Sequence, residues 1–220
     1  MLPLWKDANG GVQVLRLTEP DEVETLVRLF EEVAVLEDWK PGGALRLWVP
    51  HSVYFALTVE RELAGGLQLV LPDELHAPPY QAVWPECALR PADRHAHVAV
   101  LALAHRFRGR SILFWRLVVE LWRYCVGEGI ASLSLEVTPR VLPLYRRLGW
   151  PLTIHGELRP HWGEDCHLCT LGIPEVAQAL LQRAENSLNY RQVVAQAFRV
   201  TLAPREFQRA GEAARTGIVS

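Results

Sequence analysis

The stretch HVAVLALAHRFRGRSILFWRLVVELWRYCV, residues 97–126, decides the fold. The apolar run at 97–105 is typical of a buried strand, and residues 112–126 repeat apolar side chains at helical spacing. Between them lies RFRGRS at 106–111, a turn that carries arginine and glycine. Where a strand ends in such a turn and opens a helix, successive backbone N–H groups point outward and the helix dipole favours negative charge. The stretch therefore predicts a site for a pyrophosphate.

Composition limits the classes of partner. The chain has 220 residues, 50% of them hydrophobic, which is enough to bury a large core. Its net charge of -2 predicts no general attraction to nucleic acid or to anionic membranes. Phosphate binding must therefore come from local clustering, which Arg106, Arg108, Arg110 and Arg116 supply.

The sequence also indicates a compartment. The start MLPLWKDANGG lacks the pattern of a secretory signal, and no apolar run approaches the roughly 20 residues of a membrane span. Four cysteines in a chain of this length do not suggest a disulfide scaffold. We expect a cytoplasmic protein.

The rest of the pattern predicts an α/β fold with a mixed sheet and helices on its faces. Residues 72–92 hold five prolines and are expected to form an extended loop over one end of the sheet. Residues 174–220 are expected to be mainly helical, so we divide the chain into a domain at 1–173 and an extension at 174–220. The predicted elements are a helix at about 19–38, capped by Thr18, and strands at 12–17, 52–60, 63–71, 131–137 and 152–173, the last range being a pair.

A second motif follows the next strand. LYRRLGW at 144–150 contains Tyr145 and the pair Gly149-Trp150. Together with Arg106-x-x-Gly109-x-Ser111, the helix and the strand between them, it resembles the GNAT acyltransferase superfamily over residues 97–150. This resemblance implies a mixed, mostly antiparallel central sheet flanked by helices, here with a helical C-terminal extension.

The resemblance also implies a carrier site and a proton donor. The turn would hold the pyrophosphate of a phosphopantetheine carrier, either acyl-CoA (or acetyl-CoA) or the arm of an acyl carrier protein. The strand end would pair with the pantetheine amides, where two parallel strands splay apart. Tyr145 would protonate the departing thiolate, since a phenol stays protonated at neutral pH. The implied carrier-binding residues are Leu103, Ala104, His105, Arg106, Phe107, Arg108, Gly109, Arg110 and Ser111.

The general base is left open between several groups. Simple alternation places His97 on one strand face with Ala99, Leu101, Leu103 and His105, and histidine has a suitable intrinsic pKa. A structural histidine at a strand edge is an equally good interpretation. Glu136, Glu86 and an ordered water are the alternatives.

A narrower resemblance concerns RLGWPLTIHGE at 147–157 and the region 67–89, which are similar to acyl-homoserine lactone synthases and long-chain N-acyl amino acid synthases. The autoinducer synthases carry an Asp-x-x-Asp pair where this chain has His51-Ser-Val-Tyr54. Their Glu-x-x-Arg lands on Arg94 and His97. The carboxylates that would bind S-adenosylmethionine are therefore missing, which favours acyl transfer to some other small amine.

Two further features of the sequence concern a possible metal site and a possible substrate pocket. Cys166-x-x-Cys169, near His161 and His167, is half of a zinc site without its second knuckle, so no metal is predicted. Loops at 45–50 and 75–88 are candidates to shape an acceptor or acyl pocket, and loop tryptophans could line that pocket or bury a homodimer contact. The sequence predicts an N-acyltransferase, with a non-catalytic module that binds an acyl or CoA ligand, and an autoinducer-synthase-like enzyme, as the alternatives.

Overall fold

The computed structural model describes residues 3–6, 11–71, 78–87 and 95–198. Its centre is an eight-stranded sheet in the order β1-β2-β3-β4-β5-β6-β8-β7. Within the described strands β5 and β6 form the one parallel pair, so the predicted mixed, mostly antiparallel sheet is confirmed. The strands are β1 (Pro3–Lys6), β2 (Val12–Leu17), β3 (Ser52–Val59), β4 (Glu62–Val70), β5 (His95–Leu103), β6 (Ser132–Val137), β7 (Thr153–His161) and β8 (Glu164–Gly172).

Helices cover both faces of this sheet, as expected for an α/β fold. One face packs against the first helix through Leu26 and Phe30. The other face packs against the third helix through Leu113 and Leu117, which belong to a separate and larger apolar cluster. The helices are α1 (Pro20–Leu36), α2 (Ala44–Leu47), α3 (Ser111–Gly127), α4 (Leu142–Leu148), α5 (Ile173–Asn186) and α6 (Leu188–Phe198).

The helices after residue 173 share the main core. Leu180 of α5 and Val194 of α6 lie in the same apolar cluster as α3. The Trp115 ring of α3 also meets the Tyr190 ring of α6 edge-on, with centroids 5.9 Å apart. Residues 199–220 lie outside the described residues, and the division of the chain at residue 173 stays a prediction.

Two local expectations differ from the structure. The first helix begins after Glu19 rather than after a capping Thr18, whose Oγ1 donates instead to the Glu19 carboxylate at 3.4 Å. Pro20 opens the helix, where its missing N–H costs nothing. The edge strand β1 was not expected from the sequence. In the described ranges no helix is both long enough and apolar enough to cross a membrane.

Strand β5 contains a bulge that changes which way its side chains face. Val100 pairs with Gln68 and Val98 with Leu69, so Ala99 is an extra residue. Before the bulge Val98 faces the α3 cluster; after it, Leu101 does, while Val100 faces the α1 cluster. The expectation that His97 shares a face with Leu101 and Leu103 is therefore wrong, because the extra residue reverses the alternation.

Strand β4 approaches β5 so closely that it needs a glycine at its centre. A Cβ on Gly65 would lie 2.4 Å from the Ala102 carbonyl oxygen, which belongs to the backbone of the sheet and cannot move aside cheaply. The close contact holds one edge of β5 against β4, and β6 pairs with the opposite edge of β5.

We expect Gly65→Ala to lower the free energy of unfolding by about 2 kcal/mol, because the new methyl group forces the two strands apart. The matched control is Gly127→Ala, whose added Cβ would meet nothing within 4 Å. Urea denaturation of both variants measures the difference. Equal stability of the two variants would contradict the close approach of β4 and β5.

Candidate functional site

The site begins where β5 and β6 part. The two strands pair only from His95 with Ser132 to Val98 with Leu135, although both continue beyond that point. The gap opens into a cleft with a volume of about 390 Å³. Its lining comes from Val98–Leu101 of β5, Leu135–Val137 of β6, Tyr145 of α4, the β7–β8 turn and the end of α1. This parting matches the splay between two parallel strands that the resemblance in the sequence implied.

Tyr145 lies in the cleft wall and is held by an aromatic stack. Its ring lies on the Trp150 ring at 5.0 Å with an angle of 13°, and Trp150 stacks in turn on Phe114 at 5.9 Å. Gly149 follows α4 with φ 78°, the left-handed conformation that turns the chain back so that Trp150 can stack. Burial raises the pKa of Tyr145 to about 12, so its hydroxyl is a proton donor at neutral pH.

Glu136 reaches the same cleft from β6. Its Oε2 lies 3.3 Å from His97 Nε2, and the two side chains are 8% and 1% exposed. Burial alone would raise the pKa of Glu136, but the adjacent His97 and His161 imidazoles hold it below its usual value. His97 itself does not line the cleft, so Glu136 is the group of the pair that can meet a substrate.

The polar contacts continue from His97 into the protein. Ser134 Oγ lies 3.0 Å from His97 Nδ1 and 2.9 Å from His95 Nε2, and Ser132 Oγ lies 2.8 Å from His95 Nδ1. The Tyr80 ring covers His97 with centroids 5.7 Å apart. Burial, together with the charge of His97, lowers the pKa of His95 to about 4. His95 is thus neutral, and its two ring nitrogens hold the hydroxyl groups of Ser132 and Ser134 in place through hydrogen bonds.

The arginine turn lies at the far end of β5. Arg106 pairs with Glu62, and Arg108 pairs with Glu37. The Arg106 and Arg110 guanidinium groups both lie over the Phe107 ring, 5.1 and 5.6 Å from its centroid. Gly109 takes φ 79°, which lets the chain turn into α3. The first N–H groups of α3 fall outside its own hydrogen-bond ladder, as at any helix start.

The predicted pantetheine contacts are partly occupied by the protein. The Leu103 carbonyl accepts a hydrogen bond from Arg108 Nε at 3.2 Å, and the Ala104 N–H donates to the Ala64 carbonyl at 2.9 Å. The part of β5 that borders the cleft is instead Val98–Leu101, which precedes the predicted contact residues in the strand and lines the same cleft as Glu136. His105 and Ser111 are exposed in and after the turn. Their roles, like those of the other predicted carrier residues, stay predictions.

Other candidates lie away from the cleft. Glu86 pairs with Arg159 at 2.8 Å and is half exposed. The segment at 45–50, which was expected to be a loop, is mostly helical, because α2 and a short 3-10 helix at Val49–His51 cover it. This segment is absent from the cleft lining, and so is the described part of 75–88; residues 75–77, residue 88 and Arg94 lie outside the described residues. Tyr80 and Trp84 of that second loop are fully buried, with Trp84 Nε1 donating to the Glu157 carbonyl at 2.9 Å.

Several cleft residues were missed from the sequence. Trp162 and Glu164 come from the β7–β8 turn, and Glu37 and Trp39 come from the end of α1. These positions are far apart in the chain and meet only through the fold, so no local spacing identifies them. The turn HWGEDC at 161–166, polar and aromatic between two strands, was the one local signal.

The cysteine and histidine cluster does not form a metal centre. Cys166 and Cys169 belong to different apolar clusters, and burial raises their pKa values to about 12 and about 11. Among residues 11–71, 78–87 and 95–198, no group of three or more His, Cys, Asp or Glu side chains is arranged to hold a metal ion.

Comparison with known proteins rests on structure. No protein family model and no curated protein matches the sequence. FeeM, an N-acyl amino acid synthase from uncultured soil microbes, superimposes with a TM-score of 0.66 at 16% identity over 82% of this chain and 97% of that one. BjaI, a CoA-dependent acyl-homoserine lactone synthase, gives 0.62 at 14% identity over 92% and 100%. A putative N-acetyltransferase from Lactobacillus plantarum gives 0.56 at 12% identity over 74% and 99%.

We expect the buried His95 to make the protein sensitive to acid. An unfolded chain takes up a proton near pH 6.5, whereas the folded imidazole resists it down to about 4, so stability falls as the pH falls through this window. Between about pH 7 and about pH 4.5 the loss from this group is roughly 2 to 3 kcal/mol. Urea titrations at both pH values should show a smaller acid loss in His95→Gln, and an undiminished loss would contradict the assignment.

Proposed function

We propose that this chain, which has the fold of the GNAT acyltransferases that its sequence resembles, is an N-acyltransferase that moves an acyl group from a phosphopantetheine thioester to a small amine. One observation supports this most: Tyr145, a proton donor, and Glu136, a buried carboxylate, line the same cleft at the parting of β5 and β6. A thioester carbonyl between them would have an acid on its sulfur side and a base on its amine side.

The carrier would run from the arginine turn into the cleft. A pyrophosphate at Gly109–Ser111 would meet the start of α3, with Arg110 beside it. The Arg106 and Arg108 pairs are partly exposed, so an incoming phosphate could take the place of Glu62 or Glu37 at small cost. Beyond Val98, its last residue paired with β6, the edge of β5 at Ala99–Leu101 offers backbone groups to the pantetheine amides.

The chemistry then needs two proton transfers. Glu136 accepts a proton from the acceptor ammonium, and the free amine nitrogen attacks the thioester carbonyl carbon. The tetrahedral intermediate collapses with cleavage of the C–S bond, and the Tyr145 hydroxyl gives its proton to the sulfur. The second proton of the attacking nitrogen passes to the tyrosinate, directly or through water. Glu136, whose pKa is low, gives its proton to water, so the products are the amide, the free thiol and one proton in solution. His97 fixes the Glu136 carboxylate from the side away from the cleft.

The structure supports an acceptor other than S-adenosylmethionine. Where the autoinducer synthases have their acidic pair, this chain uses its residues for packing. Tyr54 is 2% exposed and accepts a hydrogen bond from Gln68 Nε2 at 2.9 Å, and Ser52 Oγ donates to the Trp48 carbonyl at 2.6 Å. The choice between coenzyme A and an acyl carrier protein, a cytoplasmic location and a homodimer remain predictions from the sequence.

Carrier binding can be tested without a known acceptor. We expect acetyl-, octanoyl- or palmitoyl-coenzyme A to raise the unfolding midpoint, since ligand at about 100 times Kd adds about 2.7 kcal/mol to native stability. The shift should shrink in Arg110→Gln and persist in Arg28→Gln, a surface arginine of α1 that pairs with Glu24. Thermal unfolding measures both. If none of the three ligands shifts the wild-type midpoint, the coenzyme A donor is wrong.

Tyr145→Phe separates an enzyme from a module that only binds its ligand. Phenylalanine keeps the stack on Trp150 but cannot donate a proton, so we expect kcat to fall by about a hundredfold with the acyl-CoA thermal shift intact. Release of free thiol in the presence of a panel of amines measures kcat. Unchanged turnover in this variant would remove Tyr145 from the mechanism.

Glu136→Gln tests the base. The amide is close in shape to the carboxylate but accepts no proton at neutral pH, so we expect a loss of about a hundredfold in kcat/KM that is largest at low pH, where the acceptor is an ammonium. The same thiol assay across a range of pH measures it. A variant with the wild-type pH profile would shift the role to an ordered water.

A further inference from the structure

One wall of the cleft is aromatic and is firmly built. Trp39, just after α1, donates from Nε1 to Glu164 Oε2 at 2.9 Å. The Lys40 N–H donates to the Trp162 carbonyl at 2.8 Å, which fastens the β7–β8 turn to the end of α1. The Trp162 ring stacks on His161 with centroids 5.1 Å apart and an angle of 21°. Two indole rings are therefore held in place in the wall of the cleft.

The same cleft carries an excess of negative charge. Three carboxylates line it, from Glu37, Glu136 and Glu164, against one guanidinium, from Arg140. Glu37 is paired with Arg108, but Glu164 receives its hydrogen bond from a neutral indole. The fixed charges of the wall thus suit a cation.

Glu136 gives an independent indication of a missing partner. Its side chain is 92% buried, since 8% is exposed, and its Oε2 faces His97. Its Oε1 has no hydrogen-bond partner among the described residues, and His161 Nε2 lies 4.0 Å from it, beyond hydrogen-bond distance. A buried carboxylate oxygen without a donor is costly, and an ammonium in the cleft would satisfy it.

We propose that the acceptor is an aliphatic diamine or a related dication, with the reacting ammonium at Glu136 and the second ammonium between Glu164 and the indole rings of Trp39 and Trp162. An ammonium over an indole face is attracted by the ring quadrupole, most strongly where the site is partly desolvated. The neighbouring Glu164 carboxylate adds a charge-assisted hydrogen bond. This assignment rests on the proposed acyl transfer and names the substrate class of that reaction.

A cleft that preferred an amino acid to a diamine would need a different distribution of charge in this wall. An amino acid acceptor would bring a carboxylate into the cleft beside Glu164, where like charges repel. Of the described residues that line the cleft, Arg140 is the one with a permanent positive charge to pair with that carboxylate. Comparing molecules that differ only in that second group therefore separates the two classes.

The experiment is calorimetric titration of the full chain, with and without coenzyme A. The probes are diamines of three to five methylene groups and the ω-amino acids of the same lengths, each pair differing in one terminal group. We expect the best diamine to bind about tenfold or more tightly than its matched amino acid. Glu164→Gln should weaken the diamine by about fivefold or more, because the amide keeps the Trp39 hydrogen bond but not the charge.

Asp165→Asn is the matched control, since Asp165 is the next residue of β8, is exposed and does not line the cleft. It should leave diamine binding unchanged. Tighter binding of the amino acids, lost in Arg140→Gln, would overturn the assignment and leave acyl transfer standing. A chain that is stabilised by octanoyl-coenzyme A but binds neither probe would also overturn it. Failure of the coenzyme A thioesters themselves would instead count against coenzyme A as the donor of the proposed acyl transfer and would not bear on the dication.

Discussion

The separation of β5 from β6 is the constraint on which the site depends. A sheet interior normally pairs every backbone group, and an unpaired strand edge is stable only where other contacts hold the strand. Here β4 pairs with β5 up to Leu103, and β8 pairs with β6 up to Val137. Each strand is thus held from outside while the gap between them stays open. The bulge at Ala99 lies where the two strands part, and it changes which face of the sheet the side chains before and after it point to.

A buried polar chain lies directly beside the gap. Glu136, His97, Ser134 and His95 follow one another from the cleft into the core. Burying a carboxylate is costly unless a partner compensates it, and His97 provides that compensation on one oxygen only. The arrangement lowers the stability of the fold, and it leaves one oxygen of the Glu136 carboxylate without a hydrogen-bond partner beside the cleft.

The main strands and helices of this fold were predictable, because each depends on the pattern of apolar and polar residues within its own segment. The apolar run at 97–105 indicated a buried strand, and the periodicity of the helix after it and of the β3–β4 hairpin agrees with the structure. Arg106-x-x-Gly109-x-Ser111 with Tyr145 carried the resemblance to the fold. The faces of β5 were not predictable. A bulge depends on pairing with β4, so strict alternation placed His97 with Leu101, whereas the extra residue puts them on opposite faces.

The sequence by itself determined the class of fold and the turn that opens α3, because these depend on residues close together in the chain. It also indicated Tyr145 as the candidate proton donor. Only the tertiary structure decided which acid faces the cleft and what surrounds it. Glu136 meets His97 across two strands, and Trp39 reaches Glu164 across 125 positions of the chain. Such contacts leave no spacing to read, since they are created when the elements pack. The aromatic and acidic wall of the cleft is therefore a property of the packed fold and not of any one segment.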